Sequence, residues 1–208
     1  MRPKPNDRAG LVGIILAAGE SKRLGQPKQL VQYEGEPLIR RLVQHCLRSA
    51  IFERLIVVLG SQADEIAAVL NGVPVEITHA SDWNEGMSAS VRAGIAQLQT
   101  DESLVGGALL MVCDQPHLDA AVLKSLAETW HRSSASVVSA RYNGRPGVPV
   151  IFDRRYFASL SQLTGDSGAR SILRALAEPE LHQIDLPKLA FDLDHPQDLE
   201  AFRQLQSD

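Results

Sequence analysis

The chain reads as a three-layer α/β/α protein with a mostly parallel central sheet. Three observations point there. Apolar runs such as Leu11 to Leu16 and Ala108 to Cys113 are continuous, the mark of strands buried on both faces rather than half exposed. Helical patterns alternate with these runs. The length of 208 residues, with 44% hydrophobic and 22% charged, suits one well-packed α/β domain.

Leu11 to Leu16 is the first strand, and Pro37 to Ala50 sets Leu38, Leu42, Val43 and Cys46 on one helical face before the strand Leu55 to Leu59. That completes a βαβ unit. Helix Gln62 to Leu70, strand Val73 to Thr78, helix Met87 to Gln99 and strand Ala108 to Cys113 continue the alternation. Helix Ala120 to Trp130 and strand Ser136 to Tyr142 come next. The glycine- and proline-rich stretch 143–149 is expected to turn into a short strand at Val150 to Phe152. Helices near Arg154 to Leu160 and Ser167 to Leu176, a strand near Leu181 to Leu186 and a helix from Pro196 to Leu205 complete the order. Residues 1–10 read as a flexible tail and 11–208 as a single domain, with no internal repeat.

A formal net charge of −4 argues against a general electrostatic grip on nucleic acid and leaves room for a local cationic pocket holding a small anion. No apolar run approaches the roughly 18 residues of a membrane span, and Met1 to Gly10 lacks the apolar stretch of a signal peptide. A cytoplasmic protein that engages neither nucleic acid nor membrane is expected. Cys46 and Cys113 are far apart in apolar segments and read as buried thiols, with neither disulfide nor zinc.

Function is expected at the C-terminal end of the first strand, in the stretch from Leu16 through Ala17, Ala18, Gly19, Ser21, Arg23, Leu24 and Gly25 to Lys28. Gly19 and Gly25 let the backbone turn and approach a ligand, the amides between them can donate to phosphate oxygens, and Arg23 and Lys28 add positive charge. An ordinary glycine loop with solvated cations has equal standing on spacing alone. Five residues between the glycines rule out a P-loop, and the dinucleotide fingerprint G-x-G-x-x-G is missing.

Asp114, just past a buried strand, arrives at the same sheet edge as that loop, where open α/β sheets bind ligands. It reads equally as a Mg²⁺ ligand or as a cap of the following turn. Asp194 offers a second carboxylate on the same side as Asp192, while Asp198 suits the first turn of the last helix and His195 reads as a neighbour of its N-cap rather than a metal ligand. Asn84, Ser88 and Ser90 lie in a polar turn that runs into a helix rich in small residues. They read as hydrogen-bond partners for a nucleobase or ribose, or simply as caps.

Together the loop LAAGESKRLGQPK, the segment NEGMSASVRAGI, the turn VCDQP at Val112 to Pro116 and the tail DLDHPQD resemble the MobA-like nucleotidyltransferase family over nearly the whole chain. Ala17-Ala18-Gly19, Asp114-Gln115-Pro116 and the segment Gly165-Asp166-Ser167-Gly168-Ala169-Arg170 are most similar to its molybdenum cofactor cytidylyltransferase branch. The guanylyltransferase branch usually carries a second glycine in the first loop and threonine after the aspartate.

The resemblance implies a Rossmann-like fold of the nucleotide-diphospho-sugar transferase type, with a nucleotide part over about 11–115 and an acceptor part over about 116–208. It implies attack of the molybdopterin phosphate on the α-phosphate of CTP, with Mg²⁺ (or Mn²⁺) at Asp114 and Asp194. Lys28, Arg23 and Asp114 would be catalytic, and Leu16, Ala17, Ala18, Gly19, Ser21, Gly25, Asn84, Ser88 and Ser90 would join them around the nucleotide. Gly147, Gly165, Asp166, Gly168 and Arg170 would face the acceptor, and a molybdenum hydroxylase would receive the product. The chain departs from the family pattern at His195, where threonine is common, and at Val148, where histidine is common. GTP-dependent transfer, transfer to a sugar or methylerythritol phosphate, and a non-catalytic cofactor chaperone are the alternatives.

Overall fold

The computed structural model describes residues 9–98 and 105–205. Its first strand, β1 (Gly10–Leu16), runs into a loop that reaches a short ribbon of β2 (Gln32–Tyr33) and β3 (Glu36–Pro37). Helix α1 (Leu38–Ser49), β4 (Phe52–Leu59), α2 (Ala63–Ala68), β5 (Glu76–His79) and α3 (Met87–Ala96) follow. Then come β6 (Val105–Val112), α4 (Ala120–Arg132), β7 (Val137–Tyr142) and β8 (Arg145–Asp153). The chain finishes through α5 (Phe157–Ser161), α6 (Arg170–Ala175), β9 (Leu181–Asp185) and α7 (Pro196–Leu205).

Seven strands form one sheet in the order β5-β4-β1-β6-β8-β7-β9, and only β8 runs against its neighbours. Strand β1 is central and buried on both faces, because alternate side chains serve two different cores. Leu11 and Ile15 pack with Ile39 of α1, Ile66 of α2 and Leu126 of α4. Val12, Ile14 and Leu16 pack with Val91 of α3, Leu160 of α5 and Leu173 of α6. Each such side chain contributes about 1.5–3 kcal/mol by burial, and the need for apolar residues on both faces is what made the run continuous.

The sequence expectations hold for the alternation and differ locally. Gly10, expected in a flexible tail, already pairs with Val105; the rest of that tail, residues 1–8, and Gln99 at the expected end of the third helix lie outside the described residues. Pro74 delays pairing, so the strand expected from Val73 begins at Glu76. The stretch 143–149 is not one long turn. Asn143 and Gly144, at φ 51° and 72°, make a tight two-residue hairpin, and Gly147 already lies within β8. The nine-residue β8 replaces the expected short strand because Val148 and Pro149 bulge between the pairs Ser139–Val150 and Ala140–Gly147, so Pro149 owes the ladder no N–H.

A third, smaller core joins distant parts of the chain. Phe202 of α7 is buried with Leu24, Val31, Leu38, Leu193 and Leu199, and its ring lies 4.6 Å from that of Tyr33. This cluster pins the chain leading into α7 against the far arm of the loop after β1. The ribbon β2–β3, which the sequence reading did not anticipate, carries Tyr33 there through a turn at Glu34 and Gly35.

Candidate active site

Strands β1 and β6 run parallel with Leu16 opposite Val112, so the loops that follow them leave the same sheet edge side by side. This register brings Lys28 to Asp114 although 86 residues separate them. Lys28 Nζ lies 2.5 Å from Asp114 Oδ2 and 3.1 Å from Asp194 Oδ1. Desolvation works against the ammonium, but the charge and hydrogen bond of Asp114 outweigh it and raise the Lys28 pKa above its ordinary value. Its two carboxylate partners therefore favour the charged ammonium form of Lys28.

The loop is held from within by a buried amide. Gln29 Nε2 donates to the carbonyls of Ala17 (2.8 Å) and Gly19 (3.0 Å), and the Lys28 amide donates to Ser21 Oγ (3.1 Å). Ser61 adds a bond from its amide to the Ala18 carbonyl. The left-handed positions are Ser21 (φ 58°) and Gly25 (φ 75°), not Gly19. A Cβ built on Gly19 would meet no atom within 4 Å, so its face opens to the cavity. Gln29 carried no signal in the spacing argument; its role appears only once the loop folds back over it.

A cavity of about 450 Å³ lies over this loop. Leu16, Ala17, Ala18, Gly19, Ser21, Arg23 and Lys28 line it from one side, Asn84 and Ser90 from the other, and Asp114 and Asp194 at its floor. Two expected nucleotide contacts are elsewhere. Gly25 is not in the wall and serves the turn that carries Lys28. Ser88 is fully buried; its hydroxyl donates to the Thr164 carbonyl and its amide to Gly165, because the first turn of α3 must be tied to the chain crossing it.

A second cavity, of about 300 Å³, adjoins the first and shares Lys28, Asp114, Asp166 and Asp194 with it. Gly147, Val148, Gln115, Tyr142, Asp192 and Arg170 belong to this second space alone of the two. Gly165 and Gly168, expected to face an acceptor, are not in its wall. They shape the turn beside α3: both have positive φ, and a Cβ on Gly168 would strike Met87 Cγ at 2.7 Å. Asp166 Oδ1 accepts the Met87 amide at 3.3 Å, which places this carboxylate between the cavities.

The floor is built by crossing bonds between the 112–116 turn and the tail. The Leu193 amide donates to the Asp114 carbonyl (3.0 Å), and Gln115 Nε2 donates to the Leu189 carbonyl (3.0 Å) and to Tyr142 Oη (3.1 Å). Asp198 Oδ2 accepts the amides of Asp194 (3.1 Å) and His195 (2.7 Å), reaching back over the start of α7 as a capping-box carboxylate does. Asp198 thus sets the position of Asp194. Desolvation in the second cavity, with the charges of Asp114 and Asp194, raises the Asp192 carboxyl to about 6. Burial pushes the Cys113 thiol up to about 12, and both cysteines are free and buried, as expected.

The donor set fits a hard divalent cation. Asp114 Oδ1 is buried and, among the described residues, has no hydrogen-bond partner, a costly arrangement for a carboxylate oxygen unless a cation or water reaches it. Two carboxylates suit Mg²⁺ or Mn²⁺, which complete their shells with water and phosphate oxygens. Among the described residues no group of three or more His, Cys, Asp or Glu is placed to hold a metal by itself. A cation here would complete its shell with water or with a ligand's phosphate oxygens.

A model of the MobA-like NTP transferase domain matches residues 13–181. Nicotine blue oxidoreductase of Paenarthrobacter nicotinovorans is 33% identical over 173 residues, 79% of this chain and 81% of that protein. Molybdenum cofactor cytidylyltransferase of Escherichia coli K12 is 24% identical over 89% of this chain and 91% of its own. A molybdenum cofactor guanylyltransferase of Pseudomonas fluorescens is 29% identical over 66% of this chain and 64% of its own. Among solved structures, Rv0371c of Mycobacterium tuberculosis aligns with a TM-score of 0.78 and 28% identity, covering 97% of this chain and 99% of that one. The same protein solved with manganese aligns at 0.73 and 26%, over 96% and 99% of the two chains.

Proposed function

We propose, from the premise that the chain belongs to the MobA-like NTP transferase family, that it is an enzyme transferring CMP from CTP to the terminal phosphate of the molybdopterin cofactor. The observation that carries this reading is the Lys28–Asp114–Asp194 cluster, set in the shared wall of two adjoining cavities. A nucleoside triphosphate fits the first cavity and a phosphate acceptor the second, so the reacting phosphorus sits at their junction. An acceptor phosphate oxygen forms a bond to the α-phosphorus, the bond from the α-phosphorus to the bridging oxygen breaks, and pyrophosphate leaves with that electron pair.

The acceptor is already an anion at neutral pH, so the chemistry needs charge and alignment rather than a protein nucleophile. Lys28 supplies a fixed positive charge at the junction and Arg23 another at the rim. The loop braced by Gln29 presents its backbone to the nucleotide. Asp114 and Asp194 would hold a Mg²⁺ or Mn²⁺, which would supply further neutralisation of the phosphates when bound; the manganese complex of Rv0371c supports divalent metal use. Asn84 and Ser90 hydrogen-bond base or ribose. The product passes to a molybdenum hydroxylase in the cytoplasm; among the described residues no helix is long and apolar enough to cross a membrane.

CTP is favoured over GTP by the identity of Ala18, which stands in the loop lining the first cavity where the guanylyl branch usually has a second glycine. A thermal-shift titration of CTP, GTP and ATP with Mg²⁺ tests this. Saturation by CTP at 100 times its Kd should add about 2.7 kcal/mol of stability by mass action. Protection by GTP alone would reverse the base assignment. Hydride transfer without pyrophosphate release, in line with the name of the 33% relative, would overturn the reading itself.

A further inference from the structure

The second cavity does not end at Arg170. It continues outward into a third space of about 680 Å³ between the β7–β8 hairpin and α6, sharing Tyr142, Gly147, Arg170 and Leu173 with it. Arg145, just past the hairpin turn, and Arg174 complete a wall of three arginines. Arg170 and Arg174 stand at i and i+4 of α6, the spacing that puts both guanidinium groups on one helix face. Like charges so placed repel.

The three arginines are exposed but grouped, and of the other described arginines most meet a carboxylate, with Arg23 and Arg48 also lacking one among the described residues. Arg40, Arg41, Arg54, Arg92, Arg132, Arg141 and Arg155 each meet a carboxylate. Arg145, Arg170 and Arg174 form no ion pair among the described residues, and no acidic residue lines the space they surround. At the inner end the balance is reversed, with Asp114, Asp166, Asp192 and Asp194 around Lys28. The connected cavities therefore run from carboxylates at the reacting centre to unpaired guanidiniums at the outer end.

From this polarity we infer that Arg145 and Arg174, with Arg170 between the two spaces, form a subsite for a second anionic group at the distal end of the acceptor substrate. The inference rests on the assignment of the second cavity to the acceptor. An acceptor with one phosphate for reaction and another anionic centre beyond it is oriented by both ends of the cavity. One whose distal end is neutral loses the outer anchor. Guanidinium forks suit oxyanions by paired N–H donation, whereas lysines would serve only as point charges.

Two measurements on the full chain test the subsite. Steady-state pyrophosphate release with CTP, Mg²⁺ and molybdopterin cofactor should give an acceptor KM at least tenfold higher in Arg145→Ala/Arg174→Ala, with the nucleotide KM as control and partial recovery in Arg145→Lys/Arg174→Lys. In parallel, inorganic phosphate titrated into the ¹⁵N-labelled protein should move the Arg145 and Arg174 Nε–Hε resonances saturably. An unchanged acceptor KM in an active, folded double variant overturns the subsite while leaving the transferase reading intact. Absence of turnover in the wild type counts against that reading instead, and the phosphate titration then decides the subsite: unmoved resonances overturn it.

Discussion

Lys28 sits where two carboxylates and two cavities meet, so substitutions there divide binding from chemistry. Asp114→Asn keeps the size of the side chain and removes the charge that would hold a metal. We expect pyrophosphate release to fall by about 10²-fold or more, with the far-ultraviolet circular dichroism unchanged; undiminished turnover in a folded variant would remove Asp114 from the mechanism. Gln29→Ala removes two hydrogen bonds from a buried amide and leaves the Ala17 and Gly19 carbonyls without it. A loss of about 1–3 kcal/mol in urea unfolding is expected, together with a raised nucleotide KM. The residues of the loop and both carboxylates were legible in the sequence, because small residues, cations and aspartates at strand ends have few other uses together. Gln29, Tyr142 and Asp166 as a bridge were not, since their roles depend on contacts with residues well beyond their own element. Ser88 was misread for a local reason: a serine in the first helical turn gives the same sequence signal whether it faces a ligand or a neighbouring carbonyl.

At the scale of elements, the helices are positioned by caps and cross-links as much as by their apolar faces. Asp119 caps α4 by accepting the Val122 amide at 2.9 Å, and Lys188 Nζ lies 2.7 Å from its other oxygen. Desolvation opposes its charge, yet the Lys188 bond and the helix amides outweigh that and hold its carboxyl below the usual range. The unfolded carboxyl binds a proton more readily than the folded one. The stabilisation is therefore complete above about pH 4, the ordinary aspartate value, and disappears as pH falls through the lower folded value. Asp119→Ala should cost about 1 kcal/mol at pH 7 and less at pH 3; an equal loss at both values would contradict this. The alternation of strands and helices was legible from hydrophobic periodicity alone. The hairpin strand β8 was foreshortened because Pro146 and Pro149 read as breakers; the bulge opposite Ser139 and Ala140 reconciles Pro149 with a sheet, while Pro146 keeps its place opposite Arg141.

For the whole molecule, sheet order explains why four motifs spread along the chain form one site. Parallel β1 and β6 deliver the first loop and Asp114 to one edge, and the small core around Phe202 returns Asp194 to the same place from the far end of the chain. The family resemblance was legible because these motifs occur in the right order, while the two-cavity layout and the arginine wall became visible only in three dimensions. The central claim is that nucleotidyl transfer occurs at Lys28, Asp114 and Asp194. Its most direct test is pyrophosphate release by the purified chain with CTP, Mg²⁺ and molybdopterin cofactor, with product followed by mass spectrometry. One pyrophosphate released for each cytosine dinucleotide formed, with both lost in Lys28→Ala, is the predicted result. No pyrophosphate with any nucleoside triphosphate, or release undiminished in Lys28→Ala, would contradict it.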